Sequence, residues 1–356
     1  MSATPAPAAI PLAQTRFDPR PGSDATSPAE HRGLARDGVR LLDVRPDALR
    51  HRLFRDLPDL LQPGDLLVVN TSATVPASLP ARRREGPPAR VHVSTTLDDG
   101  TWVVEPRLPD GSGPDLSLRA GDLLRLPGGA RLRLLDGYPE PARTTSRLWR
   151  AAPSAGLDVG PFLARHGRPI EYGYLDAAYD LADHQTVYAS EPGSAEMPSA
   201  GRPFTADLLV RLMARGVSIA PIVLHCGVSS QEAHEPPLPE RFEVPPDTAR
   251  LVRSATGAGR RVVAVGTTVV RALESAVAAD GRVRGASGWT DLVIGPDHLP
   301  RAVTGLLTGL HAPQASHLLM LEAVAGQALV ARAYDSAVRS SYLWHEFGDS
   351  MLFLPS

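Results

Sequence analysis

RVVAVGTTVVRALES, residues 261–275, decides the fold. Arg261 to Val265 is a short Val-rich apolar run, the pattern of a buried strand in a parallel sheet. Gly266 ends the run and permits a sharp turn. Thr267 and Thr268 follow, and either hydroxyl can cap a helix N-terminus. Val269, Leu273, Ala276 and Val277 then recur at helical spacing as a buried stripe. Arg271 and Glu274 fall three apart on another face. Strand, turn and helix together bring free N–H groups, two hydroxyls and an arginine to the carboxyl edge of a sheet. Open α/β folds hold ligands at that edge. A capped helix with a solvated Arg271–Glu274 pair fits the same stretch.

Toward the C-terminus the alternation continues. Residues 291–294 read as a strand, and 316–328 and 331–340 as helices. Toward the N-terminus, 205–215 reads as a helix, 217–224 as a strand and 246–256 as a helix. LLQPGDLLVVN (60–70) reads as a turn at Pro63-Gly64 and then a strand. This alternation implies α/β architecture with a mostly parallel sheet. From 75 to 150 the character changes. ARVHVST, TWVVEPRL, DLSLRAGDLLRL and ARLRLLDGY are short and alternating, with Gly and Pro turns between them, as in a small antiparallel β-barrel. The barrel is therefore an insert: 28–74 and 151–356 form one discontinuous α/β domain and 75–150 the inserted domain. Residues 1–27, rich in Pro, Ala and Ser, read as an irregular arm.

The totals exclude several classes of function. The chain of 356 residues is long enough for two domains. Its formal charge of −2 gives no global field for nucleic acid. The inserted segment holds twelve Arg against nine acids, a slight excess that a solvated surface accounts for. All 37 basic residues are Arg, so neither a Schiff-base lysine nor a Walker-type loop exists. Cys226 is the single cysteine, which excludes an internal disulfide and paired-cysteine zinc sites. No run has the apolar length of a membrane span, and a soluble cytoplasmic protein is expected. His225, His234, His311, His317 and His345 show no metal-ligand spacing, so no metal is expected.

Polar clusters interrupt the scaffold at strand ends and helix starts: DHQTVYA (183–189), PGSAEMPSAGRPFT (192–205), LHCGVSS (224–230), GLLTGLHAP (305–313) and YLWHEFGDSML (342–352). Together with LLQPGDLLVVN, AVGTTVVRALES, GWTDLVI and LLMLEAVAG, and in this order, they resemble the S-adenosylmethionine:tRNA ribosyltransferase-isomerase (QueA) family of queuosine biosynthesis. The resemblance runs from about Pro28 to the C-terminus. It implies an α/β domain interrupted by a small β-barrel. It also implies the reaction: the ribosyl part of S-adenosylmethionine moves onto a 7-aminomethyl-7-deazaguanine in tRNA, epoxyqueuosine forms, and adenine and methionine leave. S-adenosylmethionine is then a substrate, and no separate cofactor is implied.

That chemistry calls for particular groups. A sulfonium acidifies the adjacent C5′ protons, so a neutral histidine or a carboxylate suffices as base. His225, His311 and Asp349 are the candidates for proton transfer. Departing adenine needs a proton or a hydrogen bond, and the methionine carboxylate an arginine or a helix N-terminus. Gly266, Thr267, Thr268, Arg271 and Glu274 are expected to bind the donor. Gln185, Tyr188, Ser199, Gly201 and Tyr342, from the other clusters, complete the expected binding set.

The chain also departs from the family pattern. Ala73 and Ser78 stand where the pattern has arginines, Pro203 where it has a histidine, and PQAS where it has Pro-Lys-Ser-Thr. The family's Gly-Thr-Phe after His225-Cys226-Gly227, and its later His-x-Met-His, are missing. Lost cations imply weakened tRNA binding, because phosphate contacts dominate nucleic-acid affinity. Two other readings fit a changed acceptor site: a paralogue acting on a small nucleobase or amine, and a non-catalytic binder of S-adenosylmethionine or RNA.

Overall fold

The computed structural model describes residues 11–83, 88–142, 145–228, 237–313 and 315–354. In chain order the first strands are β1 (Arg40–Val44), β2 (Leu49–Leu53), β3 (Leu66–Asn70) and β4 (Ser72–Thr74). Next come the strands β5 (Ser78–Arg82), β6 (Pro88–Thr96), β7 (Trp102–Arg107), β8 (Leu123–Arg125), β9 (Arg131–Tyr138) and β10 (Leu148–Pro153). The remainder are β11 (Glu191–Ser194), β12 (Ser218–Leu224), β13 (Glu240–Val244), β14 (Val262–Val265), β15 (Ala286–Thr290), β16 (Gly305–Gly309) and β17 (Ser350–Phe353). The helices are α1 (Leu57–Leu60), α2 (Val159–His166), α3 (Ala206–Ala214), α4 (Pro246–Gly257), α5 (Thr267–Ser275), α6 (Ser316–Ala325) and α7 (Gln327–Arg339). Residues 291–294, expected as a strand, follow β15 as irregular chain; the preceding 286–290 pair with β13 instead.

Nine strands form one mixed sheet in the order β15-β13-β12-β3-β14-β16-β17-β1-β2. At its centre β12, β3, β14 and β16 run parallel, and β17 pairs parallel with β1. The innermost strands β3 and β14 are almost wholly apolar, and both their faces are covered. Leu66, Val68, Val262 and Ala264 pack under α4, α5, α6 and α7. Leu67, Val69, Val263 and Val265 point the other way, onto Leu57 of α1, Phe204, and Leu208 and Leu212 of α3.

The strands β10-β7-β6-β5-β8-β9 close into a barrel. Alternation sends Leu79, Val91, Val93, Val104, Leu132, Leu134 and Trp149 inward. The expected boundary at 150 falls inside β10, and Phe162 and Leu163 of α2 also join the barrel core. The chain thus stays with the barrel through His166, because that helix face is apolar. The lobes meet where Leu238 packs on Val103 and Leu148, and where the Val228 N–H donates to Ser94 Oγ at 2.9 Å.

The arm over 11–27 has no helix or strand but is docked. Phe17 packs on Tyr334 and Trp344, and Glu322 accepts hydrogen bonds from the Gln14 and Thr15 N–H groups. No helix among the described residues is long and apolar enough to cross a membrane.

Candidate active site

The carboxyl ends of β12, β14 and β16 and the N-termini of α5 and α6 open onto one cleft. Gly266 turns the chain from β14 into α5 with φ near +91°, a region open to glycine and strained for other residues. Glycine is itself the N-cap, so neither Thr267 nor Thr268 caps the helix as expected. Both sit in its first turn and line the cleft. Asn70, at the end of β3, fixes this corner. Its amide pairs with the Leu224 backbone in both directions, at 2.8 and 3.0 Å, and reaches Thr268 Oγ1 at 3.4 Å.

Of the expected residues, the cleft brings together Ser199, Gly266, Thr267, Thr268, Arg271 and His311. Arg271 is buried, but its partner is not Glu274. Its Nη1 is paired with Glu240 from β13, Nε donates to Leu292 O at 3.1 Å, and Nη2 donates to Leu238 O at 3.1 Å and Thr290 O at 3.0 Å. The cation is spent on joining the loops around α5, so it is no free clamp for a substrate carboxylate. Glu240 also accepts the Gly227 N–H at 3.0 Å; burial raises its pKa although Arg271 pulls it down. Glu274 is buried on a different side, where Oε1 accepts the N–H groups of Arg301 and Ala302. The solvated Arg271–Glu274 pair is therefore excluded as well.

His311 lines the cleft with Nε2 2.9 Å from Thr308 Oγ1, and its ring stacks on His317 at 4.5 Å. Burial, and secondly its neighbour His317, depresses the pKa of His311 well below the usual value. Burial, then Arg271, pushes His317 down to about 4. Both imidazoles are neutral near pH 7.

The other expected residues do not line the cleft. His225 Nδ1 is 2.7 Å from Ser72 Oγ, in a chain that runs on to Ser194 and ties β4 to β11. Gln185 makes two hydrogen bonds to the Thr74 backbone. Tyr188 packs on Phe204 and against Gly201, where a Cβ would lie 2.1 Å from its hydroxyl. Tyr342 is buried beneath Arg40, its hydroxyl 3.0 Å from His51 Nδ1. Asp349 is a clamp. Its carboxylate takes Arg40 Nε at 3.0 Å and the backbone N–H groups of Arg40 and Leu343, both at 2.8 Å.

That clamp explains a group the sequence reading missed. Asp349 closes the turn 343–349. At Gly348 a Cβ would lie 2.5 Å from Leu343 O, so only glycine lets the turn shut. Phe347 is gripped by Arg202, His184 and Tyr179. Between these anchors Glu346 projects into the cleft. Its Oε2 is buried without a hydrogen-bond partner among the described residues. Burial pushes its pKa up to about 7. Glu196, held by Tyr172, lines the same cleft. Among the described residues no group of three or more His, Cys, Asp or Glu could hold a metal ion; His234 lies outside them.

The chain resembles known proteins along most of its length. The family model for queuosine biosynthesis proteins matches residues 13–353. An S-adenosylmethionine:tRNA ribosyltransferase-isomerase of Desulfitobacterium hafniense is 34% identical over 340 residues, 92% of this chain and 96% of that protein. One of Moorella thermoacetica is 36% identical over 347 residues, 94% of this chain and 97% of its own. The crystal structure of an S-adenosylmethionine tRNA ribosyltransferase of Thermotoga maritima aligns with TM-score 0.52 at 29% identity, covering 94% of this chain and 98% of that one. This chain belongs to the S-adenosylmethionine:tRNA ribosyltransferase-isomerase family of queuosine biosynthesis.

Proposed function

We propose that this family member is an active enzyme, and that the cleft at α5 and α6 is where it takes S-adenosylmethionine apart. The ribosyl unit passes, with isomerisation, to the 7-aminomethyl-7-deazaguanine of a tRNA; epoxyqueuosine is the product, and adenine and methionine leave. A tRNA acceptor puts the work in the cytoplasm.

The observation that carries the reading is Glu346, a carboxylate with a buried oxygen that has no partner among the described residues and faces the cleft. An acid held near pH 7 is matched to taking a C5′ proton made acidic by the neighbouring sulfonium. The depressed imidazoles of His311 and His317 are weaker bases. They serve better as hydrogen-bond partners for departing adenine. With Arg271 engaged elsewhere, the first-turn N–H groups of α5 remain to meet the methionine carboxylate. The sulfonium supplies the activation, so the reaction runs without a metal or separate cofactor. Ala73 and Ser78 supply no cation at the two positions where the family pattern has arginines, which weakens tRNA binding there.

The test is to incubate the protein with S-adenosylmethionine, with and without tRNA bearing the deazaguanine, and measure adenine and methionine. Release that depends on the tRNA supports the reading. Release driven only by a small amine or free base would transfer it to another acceptor.

A further inference from the structure

Several described carboxylates of the barrel are already paired. Glu105 is shared by Arg107 and Arg147, Asp115 holds Arg83, and Asp99 and Asp136 hold Arg150. A row of arginines across β5, β8 and β9 is different. The strand register sets Arg82 opposite Arg125, and Arg125 opposite Arg131. Directly opposed residues of antiparallel strands project to the same side. Ala81, Leu124 and Leu132 fill the barrel, so the three guanidiniums stand outside, exposed. Arg133, two residues along β9, and Arg90, opposite Pro80, extend the row and are exposed too. None of these five side chains has an ion pair or hydrogen bond among the described residues. Arg83, Arg125 and Arg131 also line a shallow hollow together with Asp122. Asp122 already accepts the Arg119 N–H.

Like charges placed directly opposite one another destabilise a sheet. Three abreast gain nothing inside this fold, so their use lies outside it. Adjacent strands are ~4.8 Å apart, so the row spans roughly 10 Å at the backbone. That width suits a run of neighbouring phosphates, each able to take a planar two-pronged guanidinium. We propose that this arginine row docks the phosphate backbone of the acceptor tRNA while its modified nucleotide occupies the cleft. The inference rests on the tRNA reading above. It gives a protein of net charge −2 a local cationic face to hold RNA.

The test compares wild type with the triple variant Arg82→Gln, Arg125→Gln, Arg131→Gln. Affinity for full-length tRNA is measured across a range of salt concentrations, and S-adenosylmethionine affinity by calorimetry. The row predicts tRNA binding ~10–100-fold weaker at physiological salt, with the slope of log affinity on log salt shallower by about two to three. S-adenosylmethionine affinity should hold, and the melting temperature should not fall. A triple variant that binds tRNA with wild-type affinity and slope overturns the row while leaving the acceptor intact. A wild type that binds no tRNA overturns both.

Discussion

Arg271 in the cleft and Arg125 on the barrel are the same side chain in opposite circumstances. Arg271 is buried, and each of its three nitrogens donates to the protein. Arg125 is exposed, touches no described acceptor and lies between two more cations. A guanidinium out of water must have its donors filled, and once they are filled it holds structure. A hydrated one with no partner is free for a ligand. Composition hides the difference. Twelve Arg against nine acids over 75–150 looks balanced, yet the pairing passes over Arg82, Arg125 and Arg131.

The comparison breaks most readily at Arg271. Arg271→Ala leaves Glu240 buried without its cation, and losing one partner of such a pair costs about 3–5 kcal/mol. Arg271→Lys should recover little, since an ammonium cannot reach Glu240 and three carbonyls at once. Chemical denaturation of both variants decides. A loss under about 1 kcal/mol would mean that the pair is relaxed or hydrated, and the contrast with Arg125 would dissolve.

Glu346 is the cleft's counterpart of the barrel arginines, a charged group with bonding capacity left over. Glu346→Gln should lower turnover about 10²–10⁴-fold and leave S-adenosylmethionine affinity within a few-fold. In wild type, kcat/KM should rise with pH around a midpoint near 7; the variant should lose that limb. Stability carries the same signature. The carboxyl's pKa is raised in the fold, so its contribution is fully present below about 4.5 and lost as pH rises through about 7. Wild type should therefore lose stability relative to Glu346→Gln across that window. A variant with unchanged turnover and no difference in pH profile would remove Glu346 from the chemistry.

Residue pattern points to Asp349 and away from Glu346. FGD marks a tight polar turn, and its acid is the obvious candidate. The turn closes only because Asp349 is consumed by Arg40 and Leu343, from 309 and 6 residues away. The acid left over is the one inside WHEF, among aromatic neighbours, where burial raises a carboxyl's pKa. The same limit governs Arg271. Helical spacing offered Glu274 as its partner, but strand β13 brings Glu240 from 31 residues back. Local patterns were readable: the Val run and Gly266 announced β14 and α5, and the short alternating segments announced the barrel. Which charges meet depends on sheet order, and spacing along the chain carries no record of that.

The smallest expected effect is the sharpest test, because its sign is opposite to that at Arg271. Arg125 is the middle of the row, directly opposed by Arg82 on one side and Arg131 on the other. Arg125→Gln removes both repulsions and no hydrogen bond or ion pair among the described residues. Its aliphatic stem lies on the outside of β8, so little packing is lost. Each like-charge contact in a ladder is worth a few tenths of a kcal/mol. The variant should thus be about 0.2–0.5 kcal/mol more stable than wild type at low salt. Exposed charges are screened, so the advantage should shrink as salt reaches ~0.5 M. Denaturation curves at the two ionic strengths measure it. A destabilised variant would mean that Arg125 has an intramolecular partner in solution, and the barrel row would then belong with Arg271 as structure.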